Sequence, residues 1–170
     1  MSPRRKELNE QIRESRRLQL LDAALTVYVR HGYNGADMDA VATEAGLAKG
    51  LVYYYYKTKQ ELFRAMFQWA LSKSAEMSDT FFTSSLNKPP IERLVHYIWD
   101  FFILAGNDAR VIQFAMRMPF DAYAVFGPEQ WREGVIKSNL HRKSLETIIQ
   151  QAVDTGAIKP VKAGHAANCF

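Results

Sequence analysis

Four consecutive tyrosines, Tyr53 to Tyr56, stand between Lys49 on one side and Lys57 and Lys59 on the other. On a strand, two phenols would point each way. On a helix they would fan out in steps of about 100°. Neither geometry lets one core take all four, so some of them face another molecule or solvent. A phenol hydroxyl can donate to a phosphate oxygen, its ring can pack on a sugar or a methyl group, and an ammonium supplies the opposite charge. Leu47 to Gln60 holds three lysines and no acid, and Ser2 to Lys6 holds Arg4, Arg5 and Lys6 with no acid. Each segment is a candidate for touching a polyanion, or else an ordinary solvated surface.

Other chemistries find little support. The four histidines, His31, His96, His141 and His165, show no metal-ligand spacing. There is no glycine-rich phosphate loop and no Gly-x-Ser-x-Gly, so neither catalysis nor a cofactor is expected. The single cysteine, Cys169, excludes an intrachain disulfide and with it a disulfide-stapled secreted scaffold. No apolar run approaches the roughly 18 residues of a membrane span. The basic N-terminal residues have no apolar segment behind them, so no signal peptide is expected and a cytoplasmic location is the simplest reading. The 170 residues are 48% hydrophobic, enough for a sizeable core. Net charge is +4, with ten basic against eight acidic side chains up to Glu61 and twelve against ten beyond it. Bulk charge therefore singles out neither half.

The elements that must position the tyrosines read as helices throughout. Leu18, Leu21, Leu25, Tyr28 and Val29 fall at helical spacing, which predicts a first helix over residues 10–31, with Gly32 as its stop. Asp37 is placed to cap a short second helix carrying Met38, Val41, Ala42 and Ala45 and closed by Gly46. A third begins near Ala48 and breaks around Lys57. Thr58, with Glu61 three residues on, has the capping-box spacing that opens a fourth. Leu51 to Tyr56 has strand-like composition, but a lone strand among helices would have nothing to pair with. Further on, Pro90 opens a helix that runs to Gly106. A shorter helix over 109–118 is expected to stop before Pro119, followed by an aromatic-rich loop over 119–128 and one long helix over 129–155. Ala163 to Phe170 looks like the start of another.

Two short helices joined at Gly46, with small Ala42 four residues earlier allowing close crossing, have the sequence logic of a helix-turn-helix. Residues 48–56 would be its outward-reading helix. Val52 and Tyr56, four apart, then face the core. Tyr55 sits on the edge, and Tyr53 and Tyr54 point away, beside Lys49, Lys57 and Lys59. Outward tyrosines also serve as protein-interface anchors, so both uses stay open on the residues alone.

Residues 17–62, RLQLLDAALTVYVRHGYNGADMDAVATEAGLAKGLVYYYYKTKQEL, resemble the N-terminal domain of the TetR (tetracycline repressor-like) family. Leu20 to Ala24, Gly32-Tyr33, Val41-Ala42, Ala45 to Leu47, Val52 to Tyr54 and Lys57 to Lys59 follow the family pattern in order and spacing. The resemblance implies an all-α protein: a three-helix helix-turn-helix DNA-binding domain over residues 1–60, then a helical ligand-binding and dimerisation bundle over 61–170. It implies a ligand-responsive repressor that binds a palindromic double-stranded DNA operator as a homodimer. Tyr53, Tyr54 and Lys59 would contact the DNA backbone. Lys49 and Gly50 would approach base edges, with Ala48 and Leu51 near the groove. Tyr55 and Lys57 complete the expected DNA-binding set, and Arg4, Arg5 and Lys6 would form a basic arm. Several features depart from the pattern. Tyr56 replaces the usual Phe, Ala36 and Met38 stand where phosphate-holding hydroxyls are common, Gly50 makes the outward-reading helix less rigid than most, and family members usually continue for a further helix or more.

In such proteins the later helices enclose a small molecule. Here they are rich in large soft side chains, and Trp99, Phe102, Phe114, Met118, Phe120, Tyr123 and Trp131 are candidate pocket residues for an apolar or aromatic effector. His96, Asp100, Arg117 and Asp121 are the polar groups that would orient it. The rival expectation is a helical ligand-binding or protein-interaction module that has lost operator binding.

Overall fold

The structure, a computed structural model, describes residues 3–167, and side chains at all of these except 3, 4, 79 and 131–141. Every regular element among them is a helix: α1 Pro3–Gly35, α2 Met38–Ala45, α3 Lys49–Tyr55, α4 Lys59–Ser84, α5 Pro90–Asn107, α6 Arg110–Asp154 and α7 Ala163–Ala166. The all-α expectation holds, and residues 51–55 are helical despite their strand-like composition. The chain forms two compact units. One runs through Ala70 and takes in Arg110–Phe126; the other comprises Leu71–Ala109 and residues from Gly127 onward.

The first unit is organised around α1. Leu20, Leu21, Ala24 and Tyr28 are fully buried, and so are Val41 of α2, Val52 of α3 and Leu62, Phe63, Met66 and Phe67 of α4. The Phe67 ring centroid lies 4.9 Å from Tyr28, 5.2 Å from Phe114 and 5.6 Å from Phe126, edge to face in each case. This is the favoured arrangement for aromatic quadrupoles.

Two boundaries differ from expectation at α1. It begins at Pro3 rather than near residue 10, and Gly32 bends it rather than ending it. Gly32 has φ 69° and ψ 175°, a region essentially reserved for glycine, after which the chain stays helical to Gly35. Beside the bend, Arg117 and Asp121, one turn apart on α6, bond backbone groups of α1. The Arg117 guanidinium donates to the carbonyls of Tyr28 and Val29, 3.2 Å each, and the Asp121 carboxylate accepts from the Tyr33 amide at 3.4 Å. These two residues, candidate effector contacts by sequence, are thus spent on holding α1. Nearby, Arg110 donates to Thr26 at 2.8 Å and pairs with Asp22 at 3.0 Å.

The expected loop over 119–128 is helical. Proline's fixed φ is compatible with a helix, and its cost lies in one lost hydrogen bond and a steric clash of about 3 kcal/mol. Burial of Phe114 before it and of Ala122 and Val125 after it offsets that cost. The break comes instead at Gly127, φ 78°.

In the second unit Leu94 of α5 packs with Leu145, Ile148, Ile149 and Ala152 of α6 and with Ala163 and Ala167. Phe82 and Tyr97 stack at 6.0 Å. Arg93, nine-tenths buried, donates to Ser85 at 3.4 Å and Gln151 at 3.3 Å, linking the end of α4, α5 and α6.

Candidate nucleic-acid interface

The turn between α2 and α3 is fixed at both ends. Asp37 is extended, and its carboxylate accepts from the Ala40 amide at 2.7 Å, capping α2 as expected. Gly46 is left-handed at φ 63°. Its amide bonds the Thr43 carbonyl at 3.1 Å and the Leu47 amide bonds that of Ala42 at 3.0 Å, the Schellman pattern. Gln19 of α1 donates to the Ala45 carbonyl at 2.7 Å, and Arg30 pairs with Glu44 at 2.8 Å, tying α2 to α1. At the far end of α3 the Thr58 hydroxyl accepts from the Glu61 amide at 3.1 Å, while the Glu61 carboxylate accepts from the Lys57 amide at 2.8 Å. That is a capping box with its return bond displaced by one residue. A seven-residue helix is thus pinned on both sides, with Val52 as its buried anchor.

On this frame Ala48, Lys49, Gly50, Tyr53, Tyr54 and Lys57 are all exposed. From Lys49 on they fall at i, i+1, i+4, i+5 and i+8, one face of a helix and its extension. Tyr54 is 60% exposed, the most open of the four tyrosines for which exposure matters to this face. Tyr55 is half-buried, its ring edge-on to Tyr54 at 5.4 Å. The lysines are placed by their partners. The Lys49 ammonium lies 2.7 Å from the Asp39 carboxylate and 5.8 Å from the Tyr53 ring. Lys57 donates to the carbonyls of Tyr53 at 3.1 Å and Tyr54 at 3.4 Å, a cation at a helix C-terminus. Lys59, half-buried, donates to the Asn34 carbonyl at 3.1 Å and sits 4.8 Å over the Tyr33 ring. It therefore joins α4 to the C-terminal end of α1. Arg5 and Lys6 are exposed on the first turns of α1; the Arg4 side chain lies outside the described ones.

Ala36 and Met38 are core residues, 2% and 5% exposed, so the positions that lack phosphate-holding hydroxyls face inward. The Asp37 carboxylate already occupies the N-terminus of α2. Asp39, Gln19, Arg30 and Asn34 carry no recognisable sequence signal for their roles, because each acts through a partner at least ten residues away.

Tyr56 is 6% exposed, and its hydroxyl lies beside the Arg17 guanidinium without a well-formed hydrogen bond. Burial pushes its pKa up, and the nearby Arg17 charge partly opposes that. Arg17 is itself held by two bonds to Glu14, 2.9 and 2.7 Å. An unsatisfied buried hydroxyl costs stability. Tyr56→Phe should therefore leave the melting point unchanged or raise stability by about 1 kcal/mol, with DNA affinity retained. Thermal unfolding by circular dichroism checks this, and a clear loss of stability would show that the hydroxyl is satisfied.

The candidate effector residues fall in both units. Phe114 is buried in the aromatic cluster of the first unit, and Met118 is half-buried. Phe120 and Tyr123 are exposed, and so, in the second unit, are Trp99 and Phe102. The Trp131 side chain lies outside the described residues, as does Cys169. Two surface concavities of about 480 and 440 Å³ are lined by Glu10, Arg13, Glu14, Arg17, Tyr55 and Tyr56 and by residues of α6 from Lys143 to Gln151, and by none of the six candidates whose side chains are described. No group of His, Cys, Asp or Glu able to hold a metal occurs among the described residues, and no helix there is long and apolar enough to cross a membrane.

Residues 20–66, the segment that builds this face, match the family described as bacterial regulatory proteins, tetR family. An uncharacterized HTH-type transcriptional regulator of Bacillus subtilis, YhgD, is 30% identical over 148 residues, 85% of this chain and 73% of that protein. The HTH-type transcriptional activator FasR of Mycolicibacterium smegmatis is 45% identical over 56 residues, 33% of this chain and 26% of FasR. The fold is that of AibR, solved in complex with isovaleryl coenzyme A and operator DNA, with TM-score 0.76 and 20% identity over 91% of this chain and 81% of that one. A pinned helix-turn-helix with an outward face of tyrosine and lysine, within a sequence aligned along most of a regulator, makes this chain a member of the TetR family of DNA-binding transcriptional regulators.

Proposed function

We propose that the chain is a ligand-responsive repressor that binds a palindromic operator as a homodimer. The observation that carries this reading is the single exposed face of Lys49, Gly50, Tyr53, Tyr54 and Lys57 on a helix whose opposite side is locked into the core. Tyrosine hydroxyls and lysines hold phosphates, and the start of α3 with Ala48 to Gly50 approaches base edges. Residues 1–60 carry the DNA contacts. Residues 61–170 carry the effector site and the dimer contacts, and the protein acts in the cytoplasm, without catalysis.

The effector is apolar or aromatic. Val95, Trp99 and Phe102 recur along α5 at helical spacing and are 57%, 66% and 64% exposed, an open apolar stripe within their unit. An acyl thioester of the kind bound by AibR is a first class to screen. The effector acts by preferring the conformation that cannot bind DNA, which shifts the population away from the operator.

The test is fluorescence anisotropy with the DNA upstream of the protein's own gene against a scrambled duplex, with solution mass measured on the same sample. A dimer that prefers the upstream DNA, and releases it on adding an acyl thioester or an aromatic compound, is the expected result. A folded protein with no preference for that DNA would overturn the operator reading.

A further inference from the structure

An acidic side chain is paired with a lysine of the tyrosine–lysine face. Asp39, in the first turn of α2, places its Oδ2 2.7 Å from Lys49 Nζ across the turn, and both side chains are more than half exposed. Its neighbour Asp37 is already engaged by the Ala40 amide. Of the two other lysines nearby, Lys57 is bonded to the carbonyls at the end of α3 and Lys59 to Asn34. Lys49 is thus the cation of this face held by a carboxylate.

An exposed ion pair of this kind adds little to stability. Its effect on a polyanion is larger. A phosphate offers only acceptors, so it can bond Lys49 but only repels Asp39, whatever the base sequence. A major-groove edge offers donors and acceptors together: guanine O6 and N7 can take an ammonium, and a cytosine amino group can donate to a carboxylate. The pair therefore penalises contacts made to phosphate alone and spares contacts made to the right bases.

We propose that Asp39 is a specificity-determining residue, which holds Lys49 away from phosphates and suppresses sequence-independent DNA binding. This rests on α3 facing DNA. Asp39→Asn keeps the shape and removes the charge. Fluorescence anisotropy on a mixed-sequence duplex, from about 50 mM to about 200 mM salt, reads the effect. Asp39→Asn should bind that duplex roughly 3- to 10-fold more tightly than wild type, with a log–log salt slope steeper by about 1, as one more cation becomes free to engage phosphate. Glu76→Gln, the same charge change at an exposed pair with Lys73 in the other unit, should change neither. Unchanged affinity and slope in Asp39→Asn, or equal shifts in both variants, would overturn the proposal. If wild type and both variants bind no duplex at the lowest salt, the DNA-facing reading falls and this role with it.

Discussion

Replacing Tyr53 and Tyr54 together by alanine is expected to lower DNA affinity about 100-fold while leaving the fold intact. Each hydroxyl that donates to a charged phosphate contributes about 1.5–3 kcal/mol when the bond is made, so two lost donors amount to roughly a hundredfold or more. Stability should scarcely move, because both side chains are exposed and surface changes of this kind stay within about 0.5 kcal/mol. The packing lost among the described contacts is the edge contact of Tyr54 with Tyr55 at 5.4 Å and the weak contacts of Lys49 and Lys57 with these rings, 5.8 and 6.0 Å from their centroids. The paired Phe variant separates hydroxyl from ring. If donation to phosphate dominates, Tyr53→Phe with Tyr54→Phe should lose nearly as much as the alanines; if ring packing on sugars dominates, it should bind almost normally. Anisotropy titration at fixed salt gives the affinities. A loss under about threefold in the double alanine variant would remove these tyrosines from the interface.

The largest effect on stability is expected at Phe67. It is fully buried and meets three other aromatic rings, Tyr28 from α1 and Phe114 and Phe126 from α6. These rings bring together segments 39 or more residues apart within one unit, so no neighbour can slide in to fill the space. Phe67→Ala should cost about 4 kcal/mol, within the usual range for deleting a buried phenyl ring. For a chain of this length that corresponds to a fall in melting temperature of roughly 10 °C. Set against a total stability of about 5–15 kcal/mol, it would leave a protein that folds in the cold and fails on warming. Scanning calorimetry measures it, and a loss below about 1 kcal/mol would mean that the cluster is loosely packed.

Much of the helix-turn-helix was legible because its signals are local. Asp37 as cap, Gly46 as left-handed turn and Thr58 with Glu61 at the start of α4 act within a few residues of where they stand, so the chain alone reveals them. The inward turn of Val52 and Tyr56 follows from helical period alone. What escaped acts at a distance. Arg117 and Asp121 read as ligand contacts because nothing in their neighbourhood points 88 residues back to the bend at Gly32. Pro119 read as a stop because its local cost is visible, while the burial of Phe114, Ala122 and Val125 that outweighs it is tertiary. The basic tyrosine segment concealed its own restraint, since the carboxylate that holds Lys49 belongs to the preceding helix. For the candidate effector residues, aromatic composition marked a region but could not sort buried Phe114 from exposed Phe120.

The most direct test of a DNA-reading face on α3 is a hydroxyl-radical footprint on the upstream DNA, made with wild type and with the Tyr53→Ala, Tyr54→Ala variant side by side. Wild type should protect two patches centred about one helical turn apart on one side of the duplex, as paired helix-turn-helix units do. The variant, at a concentration that saturates wild-type binding, should leave both patches open. Equal protection by the two proteins, or no protection by folded wild type at any concentration, would contradict the account.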